Sequence, residues 1–295
     1  NNRFERDGFL LNSIFKLSKK SELGLLVNHI DYSAQIASSI SQEDFDEDPT
    51  QAAFTWKASQ GYEDNNYSII GLSHTYKAGA KLKNTTSLFY TYLDHYEPRP
   101  FNILDEYTNC FGFRTLFSGS LTVSENTLTY TLGGELYNDE YTWGTFQNLY
   151  QENNGNGSLQ GNQLSKNKEF RSQINSFATI SYPFTTKLTA QLGLNVNKTH
   201  YDFRDLFNSG DTNTSANRDF KTLFLPSLDI NYSITATSQL YANISRGFSN
   251  PSLEETLTPD GIINPDIVQE TGTNYELGIE HKSKDERMKL DIAFY

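Results

Sequence analysis

Two stretches gather side chains suited to binding a solute. LDHYEPRPFNILDEY (93–107) sets His95, Tyr96, Arg99 and Phe101 close together, and NDEYTWGTFQNLYQENNGNG (138–157) carries Tyr141, Trp143, Phe146 and Tyr150. Aromatic rings give rigid contact area, and a guanidinium adds stacking and anion pairing. The combination suits an anionic chelate, so His95, Tyr96, Arg99, Tyr141, Trp143 and Tyr150 are the expected binding residues. Ordinary loop packing is the competing reading for any one of them. GNGSLQGN (155–162) is flexible by composition and is expected to order with ligand.

Other chemistry finds less support. SQEDFDEDPT (41–50) alternates Asp44, Asp46 and Asp48, but an EF-hand loop would need Gly where Pro49 stands and Glu where Thr55 stands. A solvated acidic loop is expected, with adventitious Ca²⁺ binding as the remainder. His29, His74, His95, His200 and His281 lack ligand spacing, so no metal site or coupled catalytic set is expected. Ser13-Ile14-Phe15-Lys16 spells SxxK without its partner motifs, and there is no GxSxG. Cys110 is the one cysteine, which excludes an internal disulfide. With 24 Lys and Arg against 36 Asp and Glu, the net charge is −12 and nucleic acid is not an expected partner. Neither an enzyme nor a cofactor is expected.

These residues must be held by strands. In TAQLGLNVN (189–197), Ala190, Leu192, Leu194 and Val196 alternate with Gln191, Gly193, Asn195 and Asn197, giving one apolar and one polar face. Similar alternation recurs along the chain, for example at Leu88, Tyr90 and Tyr92, at Phe111, Phe113 and Phe117, and at Tyr275, Leu277 and Ile279. About twelve strands are expected, many near the roughly 9–11 residues that cross a bilayer when tilted. Short turns (SKKSE, KAGA, PFTT, ITATS, KSKDER) alternate with long polar segments at 31–65, 93–107, 138–169, 202–219 and 248–272. An up-and-down barrel explains that asymmetry, because alternate connections emerge on one rim. Tyr182, Phe184, Tyr232 and Tyr241 near short turns, with Tyr90, Tyr92, Tyr201 and Phe203 toward long loops, suit aromatic girdles. A mean hydropathy of −0.59 fits a wall in which only alternate residues are apolar. No apolar run approaches the ~18 residues of a spanning helix. The chain lacks an initiator Met and stops inside an alternating run at LDIAFY, so a fragment is expected.

One segment resembles a known family. A strand ending in Ser245-Arg246-Gly247-Phe248 leads to Asn250-Pro251-Ser252-Leu253-Glu254-Glu255, then Asn264-Pro265-Asp266 and Glu270-Thr271, then Tyr275-Glu276-Leu277-Gly278. With the hairpin LFLPSLDINYSITATSQLY before it, this order resembles the barrel of TonB-dependent outer-membrane receptors. The resemblance implies an all-β, antiparallel, 22-stranded barrel plugged by an N-terminal domain, of which residues 1–295 are a part. It further implies the outer membrane of a Gram-negative bacterium, with lipid and lipopolysaccharide around the wall. Its implied function is import of a ferric siderophore or similar iron complex, energised by TonB through a segment ahead of these residues. Cobalamin, copper and oligosaccharide uptake stay open within the family. A passive porin or adhesin barrel, and a soluble β-sandwich binding module, are the other classes. Locally, Gly247 is expected to permit close approach or unusual φ, and Pro251 to end the ladder. Parity puts Arg246 on the apolar side, free to meet lipopolysaccharide phosphate or to pair with Glu254 or Glu255.

Overall fold

The computed structural model describes residues 3–79, 81–256, 264 and 266–295. Thirteen antiparallel strands form one sheet: β1 (Phe4–Ser18), β2 (Ser21–Gln35), β3 (Tyr62–Lys77), β4 (Leu82–Arg99), β5 (Asn102–Val123), β6 (Asn126–Asn148), β7 (Gln160–Pro183), β8 (Leu188–Asp205), β9 (Ala216–Asp219), β10 (Leu223–Thr235), β11 (Ser238–Ser249), β12 (Glu270–Lys282) and β13 (Lys289–Phe294). Each strand pairs with its sequence neighbour, except that β9 is a short flap on β8 and β10 returns to pair with β8. β1 and β13 are not paired with each other, so the sheet is not closed among the described residues. Three short helices, α1 (Gln42–Glu47), α2 (Phe54–Ser59) and α3 (Leu253–Thr256), lie in connections on one rim. No helix of the described residues is long and apolar enough to cross a membrane.

Period two decides the faces, and burial decides what they meet. Leu192 is 63% exposed, Leu194 45% and Ile292 43%, so no second sheet or helix covers the apolar face. Apart from Pro98 and Pro251, buried apolar side chains among the described residues reduce to Ile103, Phe203, Phe220 and Leu225. A sandwich of this size would hide its leucines between layers; this sheet displays them. The sandwich reading is therefore set aside.

Aromatics mark both borders of the apolar belt. Tyr76, Tyr182, Phe184 and Tyr232 stand at the short-turn border, and Tyr90, Phe224 and Tyr275 at the other, all at least 40% exposed apart from half-buried Tyr182. Three expected girdle residues belong elsewhere. Tyr201 and Phe203 share the polar face, Phe203 being buried, and Tyr241 donates across that face to Glu276 Oε1 at 3.2 Å.

Two expected long loops are strand. Residues 93–107 form a continuous β4–β5 hairpin with only Pro100 and Phe101 between the strands. Most of 138–169 is β6 and β7, leaving 149–159 as the connection. Beyond the belt both faces of a strand meet polar surroundings, so the alternation that betrays a strand disappears from the sequence. The acidic stretch is likewise α1, capped by Ser41, whose Oγ accepts from Asp44 N at 3.1 Å. Its alternating carboxylates point to separate partners: Asp44 to Ser41, Asp46 to Gln42, Asp48 to Thr50.

The 36–61 connection reaches across the rim to 149–159. Ser158 Oγ donates to the buried Ser59 carbonyl at 2.8 Å, and Gln60 Nε2 to the Gly155 carbonyl at 3.3 Å. Gly157 sits under this clasp with φ +84°, and an added Cβ would lie 3.0 Å from Gln60 Cβ and 3.1 Å from the Ser59 oxygen. GNGSLQGN thus has protein partners without a ligand. Gly157→Val is expected to open the clasp; faster protease nicking at 149–159 with unchanged barrel migration on gels would report it.

On the polar face, rings lie flat over glycines of the next strand. Phe89 covers Gly112 and Tyr241 covers Gly278, so closely that a Cβ at either position would enter the ring.

Candidate functional site

Cross-strand register assembles a band on the polar face beyond the belt. One row runs Asn65, His95, Glu106, Trp143, Asn167, Asp205 from β3 to β8. The next, nearer the belt, runs Tyr67, Leu93, Thr108, Tyr141, Glu169, Phe203, and the third runs Ile69, Thr91, Cys110, Asp139, Arg171, Tyr201. Six strands at about 4.8 Å spacing make a band roughly 24 Å wide.

At its centre Tyr141 stacks on Trp143 with centroids 4.6 Å apart, and Trp143 stacks on Phe203 at 5.8 Å. Tyr141 donates its hydroxyl to Glu106. Arg171 lies 5.4 Å from the Tyr141 ring and 5.9 Å from the Tyr201 ring, and its Nε donates to Glu169. Tyr201 in turn meets Phe220 edge-on at 5.0 Å. Glu169 is fully buried, and its Oε2 has no hydrogen-bond partner. The result is an aromatic platform backed by a guanidinium that its own carboxylate already engages.

Of the expected binding residues, His95, Tyr141 and Trp143 share this band. His95 Nδ1 is 2.7 Å from Asn65 Oδ1, and its Nε2 is 3.6 Å from Glu97. Arg99 closes the rim, 3.7 Å from Glu97, donating to Asn102 Oδ1 at 2.9 Å and lying over Phe101. Tyr96 is on the opposite face, beside Tyr62 at 6.2 Å. Tyr150 belongs to a one-turn 3₁₀ segment on the rim, apart from the platform. Arg171, Glu169, Tyr201 and Phe203 are the residues that sequence reading missed. Carrying parity outward from Asn175 and Asn197 along β7 and β8 places all four on the polar face.

The histidines stay separate, each against its own neighbour: His29 with Ser68, His74 with Ser21, His200 with Asp219 and His281 with Ser238. Among the described residues no group of three His, Cys, Asp or Glu is placed to hold a metal. Ser13 and Lys16 sit on opposite faces of β1, which removes the SxxK pattern. Cys110 has no disulfide partner.

The resemblance segment is mostly structural. Gln269 donates to Asn250 (2.9 Å), Asn250 to Thr199 (3.2 Å), Thr199 to Asn197 (3.1 Å) and Asn197 to Asn175 (2.8 Å). This chain ties the β11–β12 connection onto the buried polar face of β7 and β8. After buried Pro251, Ser252 and Glu255 exchange hydrogen bonds as a capping box at α3. Ser245 donates to Asn243 (2.9 Å), half-buried Phe248 nears the strand end, and Glu276 receives Tyr241. Gly247 departs from expectation: it has no positive φ, and a Cβ there would meet open space. Arg246 is exposed and donates to Thr271 Oγ1 at 3.2 Å; Glu255 is occupied by Ser252, and the Glu254 side chain lies outside the described residues, as do 257–263 and Pro265.

Asp205 organises the rim after β8, well past the belt. It receives Phe207 N at 3.0 Å, Asn208 N and Nδ2 both at 2.9 Å and Thr214 N at 3.2 Å. Burial works to raise its pKa, but these donors outweigh burial and hold the carboxyl at about 2. A depressed carboxyl stabilises the fold fully above its ordinary value, about 3.9, and loses that stabilisation as pH falls through 2. Amide-exchange protection of 206–215, corrected for intrinsic rates, should hold down to about pH 4, fade toward pH 2, and be weak at all pH values in Asp205→Ala.

A family model described as "TonB dependent receptor-like, beta-barrel" matches residues 9–295. No curated protein matches the sequence. Among solved structures, the unliganded ferric citrate transporter FecA superposes with TM-score 0.81 at 14% identity, covering 96% of this chain and 42% of that one. The ferripyoverdine receptor of the outer membrane of Pseudomonas aeruginosa, bound to ferripyoverdine, gives 0.74 at 12%, covering 98% and 41%. The ferric-catecholate import receptor Fiu of E. coli K12 in its closed form gives 0.74 at 12%, covering 99% and 51%. The chain thus spans about half the length of these solved structures or less, and at such identities the likeness is one of fold. The family is one of receptors and transporters, not enzymes, in the outer membrane of Gram-negative bacteria. An up-and-down sheet with a bare apolar belt, long connections on one rim and a family match across nearly its whole length lead to one conclusion: this chain belongs to the TonB-dependent receptor β-barrel family.

Proposed function

We propose that residues 1–295 are part of the barrel domain of an outer-membrane active-transport receptor that imports a ferric siderophore or similar iron complex, energised through TonB. The apolar belt meets lipid, with lipopolysaccharide around the long-loop border, and the polar face lines the lumen. The observation that carries the solute reading is the Tyr141–Trp143–Phe203 platform with Arg171 between Tyr141 and Tyr201, set on the extracellular part of the lumen wall. Rings on rigid strands offer a preformed face to a bulky chelate at small entropic cost. His95 and Arg99 flank it along β4, and Tyr150 stands on the rim above. TonB would act through a segment and a plug that other parts of the receptor supply.

Growth of a deletion strain on defined iron sources tests this. The strain is expected to lose growth on at least one ferric chelate, and the full-length gene to restore it only when TonB is present. Unchanged growth on every chelate would redirect the search to cobalamin, copper or oligosaccharide. Restoration without TonB would point to a passive barrel.

A further inference from the structure

The charge of the band carries the solute reading one step further. On the lumen face of β3–β8 beyond the belt stand six carboxylates: Glu63, Glu97, Glu106, Asp139, Glu169 and Asp205. Against them on the same strands are two guanidiniums, Arg99 and Arg171, and each is already engaged by a carboxylate, Glu97 and Glu169 respectively. Arg218 on the neighbouring flap donates to the Asn264 carbonyl and lies 4.9 Å from the Phe220 ring centroid. Arg99, which suggested an anion site in the sequence, and Arg171 are thus already paired with carboxylates where they stand.

A second observation points the same way. Two buried lumen-face atoms without partners are both acceptors: Glu169 Oε2, behind the aromatic platform, and Asn195 Oδ1 lower on β8. The excess negative charge of the wall complements a solute that brings donors and positive charge and repels one whose rim is anionic oxygen, and Glu169 Oε2, closed off in this structure, would gain its missing partner from a donor inserted at the platform.

We infer that the solute taken by this wall is a neutral or cationic ferric chelate of the trihydroxamate type, and not a polyanionic tris-catecholate or polycarboxylate complex. In a trihydroxamate three monoanionic groups cancel the iron charge, and a free ammonium or amide N–H on the backbone supplies the donors. In a tris-catecholate the six phenolate oxygens leave a trianion facing the band. The aromatic platform serves the apolar flanks of the first, and the two guanidiniums that the band on β3–β8 holds beyond the belt are already engaged before the second arrives. This inference rests on the iron-chelate reading above and narrows it. It also separates this wall from the fold neighbours whose printed solutes are ferric citrate and ferric catecholate.

The test uses the full-length receptor as the sole ferric-chelate receptor of a strain that makes no siderophore, with radioiron uptake as the readout. Three probes are supplied: a ferric trihydroxamate with one free ammonium, a neutral trihydroxamate lacking it, and a ferric tris-catecholate. Uptake is expected to fall in that order, with the ammonium probe ahead of the trianion by on the order of tenfold or more, and the gap to narrow as salt is raised. The double variant Glu106→Gln, Asp139→Asn should bring the ratio toward one, with heat-modifiable migration verifying that the variant barrel is assembled. Equal or better uptake of the tris-catecholate, or a ratio that the double variant leaves unmoved, overturns the charge inference while leaving iron transport intact. Import of none of the three by cells displaying the folded receptor overturns the iron-chelate reading itself.

Discussion

Leu192→Arg is expected to cost the assembled receptor about 2–4 kcal/mol, whereas Gln191→Arg, one residue away, should cost less than about 1 kcal/mol. Leu192 sits midway along the apolar run of β8, paired with Ile180 on β7 and Leu228 on β10, and is exposed on that face. A guanidinium there must either enter hydrocarbon or stretch to the border. Gln191 points the other way, its Nε2 3.4 Å from Asp229 Oδ2, so an arginine at that site gains a carboxylate in a watered lumen. Urea unfolding of the full-length receptor in lipid vesicles measures both costs. Equal penalties would mean that the two faces share a solvent, and the barrel assignment of the wall would fail with that result.

Trp143→Ala should weaken solute binding by roughly 10- to 100-fold, the range of a central aromatic anchor. The indole bridges Tyr141 and Phe203, so its removal splits the platform. Tyr96→Ala provides the control: that ring faces away from the band, and affinity should stay within about twofold. Equilibrium binding to the full-length receptor distinguishes the two. A larger loss from Tyr96 than from Trp143 would move the binding surface off the lumen wall.

The faces of the belt were legible because hydrocarbon demands apolar side chains on every second residue, which Leu192, Leu194 and Phe111 through Phe117 supply. Past the belt that demand ends. His95, Glu106, Tyr141 and Lys168 lie in regular ladders, yet their segments read as loops because neither face needs to be apolar. The four-residue β9 was missed for another reason: a strand that short has no periodicity to find. Composition singled out Tyr141 and Trp143, but their partners Arg171 and Phe203 lie at least 28 residues further along the chain, and only register brings them together. Arg99 was read by residue type as a free cation; the ion pair with Glu97 that occupies it is a tertiary fact.

The rings lying over Gly112 and Gly278 have a consequence for permeation. Each aromatic can recline against the wall only because its neighbour carries no side chain. A single methyl introduced beneath Phe89 or Tyr241 would tip the ring upright into the channel, narrowing the bore by several ångströms without altering any group that touches cargo. In the proposed conduit the calibre would therefore be set from behind, by the residues with the least to show.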